Sequence, residues 1–142
     1  MTAFYDVFNG DADGICALHQ LRLASPRDSV LVTGVKRDIQ LLRRIAVSAG
    51  DEVTVLDISL ARNAGALTEL LARGAACLYF DHHFAGEIPA HANLQTFIDT
   101  AADTCTSLIV DRYLGGSQRV WAVVAAFGDN LADSARTTAA TL

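Results

Sequence analysis

The stretch from Val53 to His83 decides the architecture. It reads Val53-Thr54-Val55-Leu56-Asp57, then a helical segment from about Leu60 to Arg73 closed by Gly74, then Cys77-Leu78-Tyr79-Phe80-Asp81-His82-His83. The two apolar runs are too short for helices and rich in the β-branched and aromatic residues that pack well in strands. Strand, helix and strand make a βαβ unit, whose right-handed crossover leaves the two strands parallel. In this unit both strands end on an acid.

The same alternation extends outward. Upstream lie a first run, Phe4-Tyr5-Asp6-Val7-Phe8, and a helical pattern from Ile15 to Ala24 with Ile15, Leu18, Leu21 and Leu23 apolar, stopped by Pro26. A second run, Val30-Leu31-Val32-Thr33, precedes Asp38, which is placed to cap a helix carrying Ile39, Leu42, Ile45 and Ala46 and ended by Gly50. Downstream, a loop with Pro89 leads to a fifth short strand, Leu94 to Ile98. Thr104 to Leu114 reads as a helix broken by Gly115-Gly116, and Val120 to Phe127 as a buried helix or strand, apolar nearly all round. The expected fold is α/β: a mainly parallel five-stranded sheet with helices on both faces, forming one domain over residues 1–131. Residues 132–142 are small and polar, and are expected to fray.

Composition narrows the function. The chain has 142 residues, half of them apolar (51%), so a packed core is expected and disorder is not. Sixteen acids against 11 bases give a net charge of −5, so the domain as a whole does not steer polyanions, and stable duplex DNA binding is not expected. Cys16, Cys77 and Cys105 are odd in number and form no CxxC pair, which excludes a zinc ribbon or redox dithiol and suits buried, reduced thiols. The N-terminus lacks the basic start and apolar run of a signal peptide, and no apolar run is long enough to span a bilayer. A cytoplasmic location without membrane contact is the expectation.

The acids carry the chemistry. Asp11 and Asp13 follow the first strand, Asp57 ends the third, Asp81, His82 and His83 end the fourth, and Asp129 closes the last apolar run. In a parallel sheet the strand ends share one edge, where α/β folds place ligands. Carboxylates gathered there repel unless protonated or bridged by cations. Four of them balance two divalent ions, and carboxylates with one imidazole suit Mn²⁺ or Mg²⁺ better than Zn²⁺. Such a pair of ions clamps a phosphoryl centre and acidifies a bridging water, the nucleophile. Plainer roles exist singly: a turn at Asp11 and Asp13, a cap at Asp57 (although Ser59 is better placed), a loop position for His82 and His83, a turn at Asp129. Asn9 to Gly14 mimics an EF-hand start, but Gln20 stands where the bidentate Glu is required. Lys36 and Arg37 follow the second strand on the same edge and are candidate phosphate contacts. Arg43 and Arg44 fall on the expected helix and read as surface charges.

Asp11-Ala12-Asp13-Gly14, the lone Asp57, Asp81-His82-His83 and Gly128-Asp129 together resemble the four ordered motifs of the DHH phosphoesterase superfamily. Asp103 to Leu108 resembles the small-residue turn and helix between its third and fourth motifs. The resemblance spans Tyr5 to Asn130. It implies two Mn²⁺ ions, replaceable by Mg²⁺ or Co²⁺. Asp57 bridges them, Asp11 completes the first, and Asp13, His82 and Asp129 complete the second. It further implies that His83 faces the substrate phosphate or leaving group, and that Asp81 orients the histidines. Two departures stand out. Val7 occupies the position of a metal-binding His, leaving Asn9 as a weak neutral donor nearby, so the first ion is expected to be the weaker. The family's smaller C-terminal substrate-binding domain is not in this chain, and residues 132–142 are expected to lead toward one. The expected activity is hydrolysis of phosphodiesters in nucleotides or short oligonucleotides. The alternatives are phosphoanhydride hydrolysis of pyrophosphate or polyphosphate, and a degenerate module that binds metal or nucleotide without turnover.

Overall fold

A computed structural model describes residues 1–142. Five strands, β1 (Phe4–Asn9), β2 (Val30–Gly34), β3 (Glu52–Leu56), β4 (Ala76–Asp81) and β5 (Leu94–Ile98), form one sheet in the order β2-β1-β3-β4-β5. Every pairing is parallel, as in Val7 opposite both Val32 and Val55, and Leu56 opposite Phe80. The helices are α1 (Ala12–Ala24), α2 (Leu60–Ala72), α3 (Thr106–Tyr113), α4 (Arg119–Gly128) and α5 (Ala132–Ala139).

Alternation along the strands sorts side chains into two cores. Val7, Val55 and Tyr79 face one way, against Leu60, Leu67, Leu70 and Leu71 of α2 and against Leu41 and Leu42. Phe8, Leu56 and Phe80 face the other way, against Ala17, Leu18 and Leu21 of α1 and Ile109 and Val110 of α3. Both faces are thus covered, as a parallel sheet requires. Truncating a fully buried contact such as Leu67 to Ala is expected to cost about 2–5 kcal/mol. A further layer packs Ala122, Val123, Ala125 and Ala126 of α4 and Ala135 of α5 against Cys16, Cys105 and Leu108. The three cysteines are free and buried, and no helix is long and apolar enough to cross a membrane.

Three expectations are corrected. The helix expected after Asp38 does not form; only a single 3-10 turn appears, at Leu42–Arg44. Asn63, buried in the first turn of α2, accepts a hydrogen bond from the Leu42 N–H and donates to the Ile39 carbonyl, taking backbone groups that a helix would pair internally. Leu41 and Leu42, adjacent in sequence, are then both free to enter the core. The run Val120–Phe127 is helical but buried on one face only, with Val120, Val124 and Phe127 exposed. The segment expected to fray is α5, held by Ala135 against the α4 layer.

The order β2-β1-β3 makes a switch point. From β1 the chain leaves through α1 on one face to reach β2; from β2 it returns to β3 along the opposite face, where Leu41 and Leu42 pack. The C-terminal ends of β1 and β3 therefore open a crevice between diverging connections, the usual ligand position in such sheets.

Candidate metal centre

Asp11 and Asp13 are carried to that crevice by the start of α1. Asp11 is the N-cap, its Oδ1 accepting the Gly14 N–H at 3.0 Å, so one oxygen is spent on the helix. Gly14 is required by closeness: a Cβ there would stand 2.0 Å from the Asn9 carbonyl oxygen. Asp13, 1% exposed, reaches across to the N-terminus of α3. Its Oδ1 accepts the Ser107 N–H at 2.7 Å and its Oδ2 the Thr106 N–H at 3.0 Å. These are donors that the first turn of a helix leaves unpaired. The Ser107 hydroxyl closes the contact by donating to the Asp13 carbonyl.

Asp57, 2% exposed, sits immediately past β3 with φ of +64°. That left-handed conformation is uncommon for any residue with a Cβ, though Asp and Asn tolerate it best, and it is a form of strain that gathers at functional sites. Helix α2 is capped instead by Ser59, whose Oγ accepts the Arg62 N–H, so Asp57 is not spent on capping it. Its Oδ1 accepts the Thr106 hydroxyl at 3.0 Å and lies 3.1 Å from His82 Nε2. The same nitrogen is 3.6 Å from Asp13 Oδ2 and 4.0 Å from Asp129 Oδ2. Asp129 is the C-cap of α4, followed by Asn130 in the left-handed region. It is brought in because α4 crosses α1 so closely that a Cβ on Gly128 would stand 2.8 Å from Ala12 Cβ. One imidazole nitrogen is therefore surrounded by three carboxylates.

The electrostatics follow from that crowding. Burial, then the charges of Asp13 and Asp11, push the Asp57 carboxyl up to about 10. Burial and Asp13 also raise Asp129. The nearest cation is Lys36, its Nζ 3.8 Å from Asp11 Oδ2 and its side chain 76% exposed. His83 stands apart: its Nδ1 is 2.7 Å from Asp81 Oδ1, and that hydrogen bond raises its pKa. Asp81 is fully buried, and its Oδ2 has no partner.

Two sets of potential ligand atoms lie within 4.8 Å of one another: Asp57, His82 and His83, and Asp13, His82 and Asp129. Buried acids without internal counter-charge, together with imidazole nitrogen, are a donor set that a hard divalent cation fits. The remaining candidates fall as follows. Val7 is wholly buried in the α2-side core. Asn9 has its Oδ1 engaged by the Asp11 N–H and its Nδ2 by the Lys36 carbonyl. Arg37 lies beyond Lys36, beside Asp38, Arg43 and Arg44. Thr106 and Ser107 fall in the stretch Asp103 to Leu108 noted from sequence, but no role was read for either residue, and Asn63 was not singled out. The signal for the first two was the small polar stretch before α3, the composition of a helix start.

No family model matches the chain by sequence, and no curated protein does. Among solved structures it is similar to the crystal structure of exonuclease RecJ bound to manganese, with a TM-score of 0.59 and 18% identity. The match covers 96% of this chain and 41% of that one, so the present chain spans about two fifths of RecJ's length. The likeness shows that this chain shares the α/β fold of that part of RecJ, in agreement with the fold expected from the sequence.

Proposed function

We propose that this domain is a metal-dependent phosphoesterase acting on phosphodiester bonds of nucleotides or short oligonucleotides. The observation that carries the reading is the convergence of Asp13, Asp57, Asp129 and His82 at the switch point of a DHH-type sheet without internal cations to pair them. The RecJ neighbour, a manganese-bound exonuclease, points the same way. In this reading Asp11, Asp13, Asp57, His82 and Asp129 would hold the metal, with Asp57, Asp13, His82 and Asp129 closest together and Asp11 at the side of Asp57. Mn²⁺, with Mg²⁺ or Co²⁺ as substitutes, would neutralise the phosphoryl charge and supply an acidified water when bound.

The chain's own groups do the positioning. Thr106 and Ser107 hold both oxygens of Asp13, and the Thr106 hydroxyl holds Asp57, so two carboxylates are fixed before any ligand arrives. Asp81 fixes the His83 ring through Nδ1 and leaves the other nitrogen to face the substrate phosphate or leaving group. Lys36, whose Nζ is 3.8 Å from Asp11, and Arg37, which lies beyond it beside Arg43 and Arg44, are read as contacts for substrate phosphate.

Purified chain, supplied with Mn²⁺, is expected to hydrolyse a small chromogenic phosphodiester slowly, and Asp13→Ala and His82→Ala to abolish that hydrolysis. A panel of pAp, short oligonucleotides and pyrophosphate ranks the substrates; faster turnover of pyrophosphate would move the reading to phosphoanhydrides. Metal-induced stabilisation without turnover of any of them would instead make the domain a binding module.

A further inference from the structure

Residues 36–44 hold four of the chain's eleven cations, Lys36, Arg37, Arg43 and Arg44, against the single acid Asp38, and so carry a local excess of positive charge on a protein of net charge −5. The segment is not loosely hung. Asn9, at the end of β1, donates to the Lys36 carbonyl at 3.0 Å. Asn63, in the first turn of α2, grips Ile39 and Leu42 and also donates to the Ser59 carbonyl, two residues past Asp57. Two asparagines thus clip the basic segment to the two strand ends that bear Asp11 and Asp57. Between the clips lies a surface hollow of about 200 Å³ lined by Arg37, Asp38, Ile39, Gln40, Arg43 and Arg44. Asp38 answers only Arg44, at 3.9 Å, while Arg37 and Arg43 make no ion pair.

We infer that this hollow binds a second phosphate of the same substrate, displaced along its chain from the phosphate at the metal centre. The inference rests on the phosphoesterase reading and deepens it: the substrate carries a run of phosphates, and the domain holds at least two of them. Planar guanidinium groups on a pinned backbone suit bidentate contact with phosphate oxygens. Such contact reads charge and spacing rather than base sequence. An oligonucleotide backbone and linear polyphosphate share this chemistry.

The test uses the full chain with Mn²⁺ and a fluorescent, phosphorothioate-linked oligothymidylate, followed by anisotropy across a salt series, with linear polyphosphate as competitor. Arg43→Gln/Arg44→Gln is expected to weaken binding roughly 5–20-fold and to lower the salt slope by about 1.4, the loss of two contacts to a single strand. Arg112→Gln/Arg136→Gln removes the same charge from α3 and α5 and is expected to change neither. If the loss appears with oligothymidylate and not with polyphosphate, the chain is nucleic acid; the reverse assigns polyphosphate. Equal losses in both double variants, no loss in the first, or no measurable binding by the parent chain at low salt would overturn the inference. Hydrolysis of the small phosphodiester is scored separately, so a failed hollow and a failed phosphoesterase reading give different results.

Discussion

Asp6 and Asp57 are both buried carboxylates of the same sheet, one within β1 and one just past β3, and they differ in what answers them. Asp6 receives a bidentate contact from Arg22 of α1, at 2.7 and 2.8 Å, with Arg27 a further 3.8 Å away. Nearby, Asp51 accepts backbone N–H groups from Ala3 and Ser48, and those bonds lower its pKa. At the other end of the strands Asp57 meets Asp13 and Asp11, and its pKa is raised to about 10. Burial of an acid is therefore no mark of function by itself. An acid that the chain pairs internally belongs to the fold; an acid left facing other acids is built for something the chain does not supply.

The comparison breaks most visibly at Asp57. Asn is the sharpest substitution, because it tolerates φ of +64° and keeps an oxygen for the Thr106 hydroxyl while losing the charge. Asp57→Asn is expected to reduce Mn²⁺-dependent hydrolysis by roughly 10³-fold or more, and to abolish any rise in melting temperature on adding Mn²⁺. In EDTA at pH 8 the same variant should be more stable than the parent, since it removes a repelled, desolvated carboxyl. A metal-free Asp57→Asn protein that melts below its parent would erase the distinction between the two ends.

The matching change at the other end has the opposite sign. Arg22→Ala strips Asp6 of its main partner and leaves a buried charge, for an expected loss on the order of 3 kcal/mol in urea unfolding, with or without metal. A loss under about 1 kcal/mol would mean that Arg27 can take over, and the two ends would differ less than the geometry implies.

Acidity sharpens the contrast further. The Asp57 carboxyl binds its proton more tightly in the folded than in the unfolded chain, where its pKa is near 3.8. Its contribution to stability is therefore complete below pH 3.8 and is lost as pH rises toward about 10. Metal-free protein should lose stability between pH 5 and 8, by at most about 1.4 kcal/mol per pH unit for one proton. The gain from Mn²⁺ should grow over the same range, because the ion takes the proton's place. Urea midpoints in EDTA that do not fall, or that fall equally in Asp57→Asn, would contradict this.

Much of the site was legible because its acids follow β-type runs, and parallel strands bring those ends to one edge whatever the loops do. The sheet, its direction and the positions of Asp13, Asp57 and His82 follow from that rule alone. What could not be read were contacts made by one polar side chain to distant backbone. Asn63 converts an expected helix into the pinned turn at Leu42–Arg44, and nothing near Asp38 announces a partner more than twenty residues away. Likewise α5 was expected to fray because its residues are small; small residues are what let Ala135 lie flat against the α4 layer. Local periodicity could not show either, because in both cases the tertiary partner decides.

The smallest expected effect lies at Asp51, and it runs opposite to Asp57. Its carboxylate accepts the Ala3 and Ser48 N–H groups at 3.0 and 2.8 Å, tying the N-terminal strand and the turn before β3 together. Those bonds favour the charged form, so the folded pKa lies below 3.8, and the stabilisation is present above that value and lost as pH falls through the folded one. Asp51→Asn keeps one acceptor oxygen but replaces the other with an amide nitrogen that cannot accept either N–H. It should lower the melting temperature by a few degrees at pH 7 and by progressively less as the parent's own carboxylate protonates in acid. Raising the pH from 5 to 8 should leave the Asp51→Asn deficit unchanged while the benefit of Asp57→Asn grows. A deficit at Asp51 that also varied across that range would show that the two ends of the sheet titrate together, and that the separation between structural and ligand-seeking acids is not as local as the distances make it.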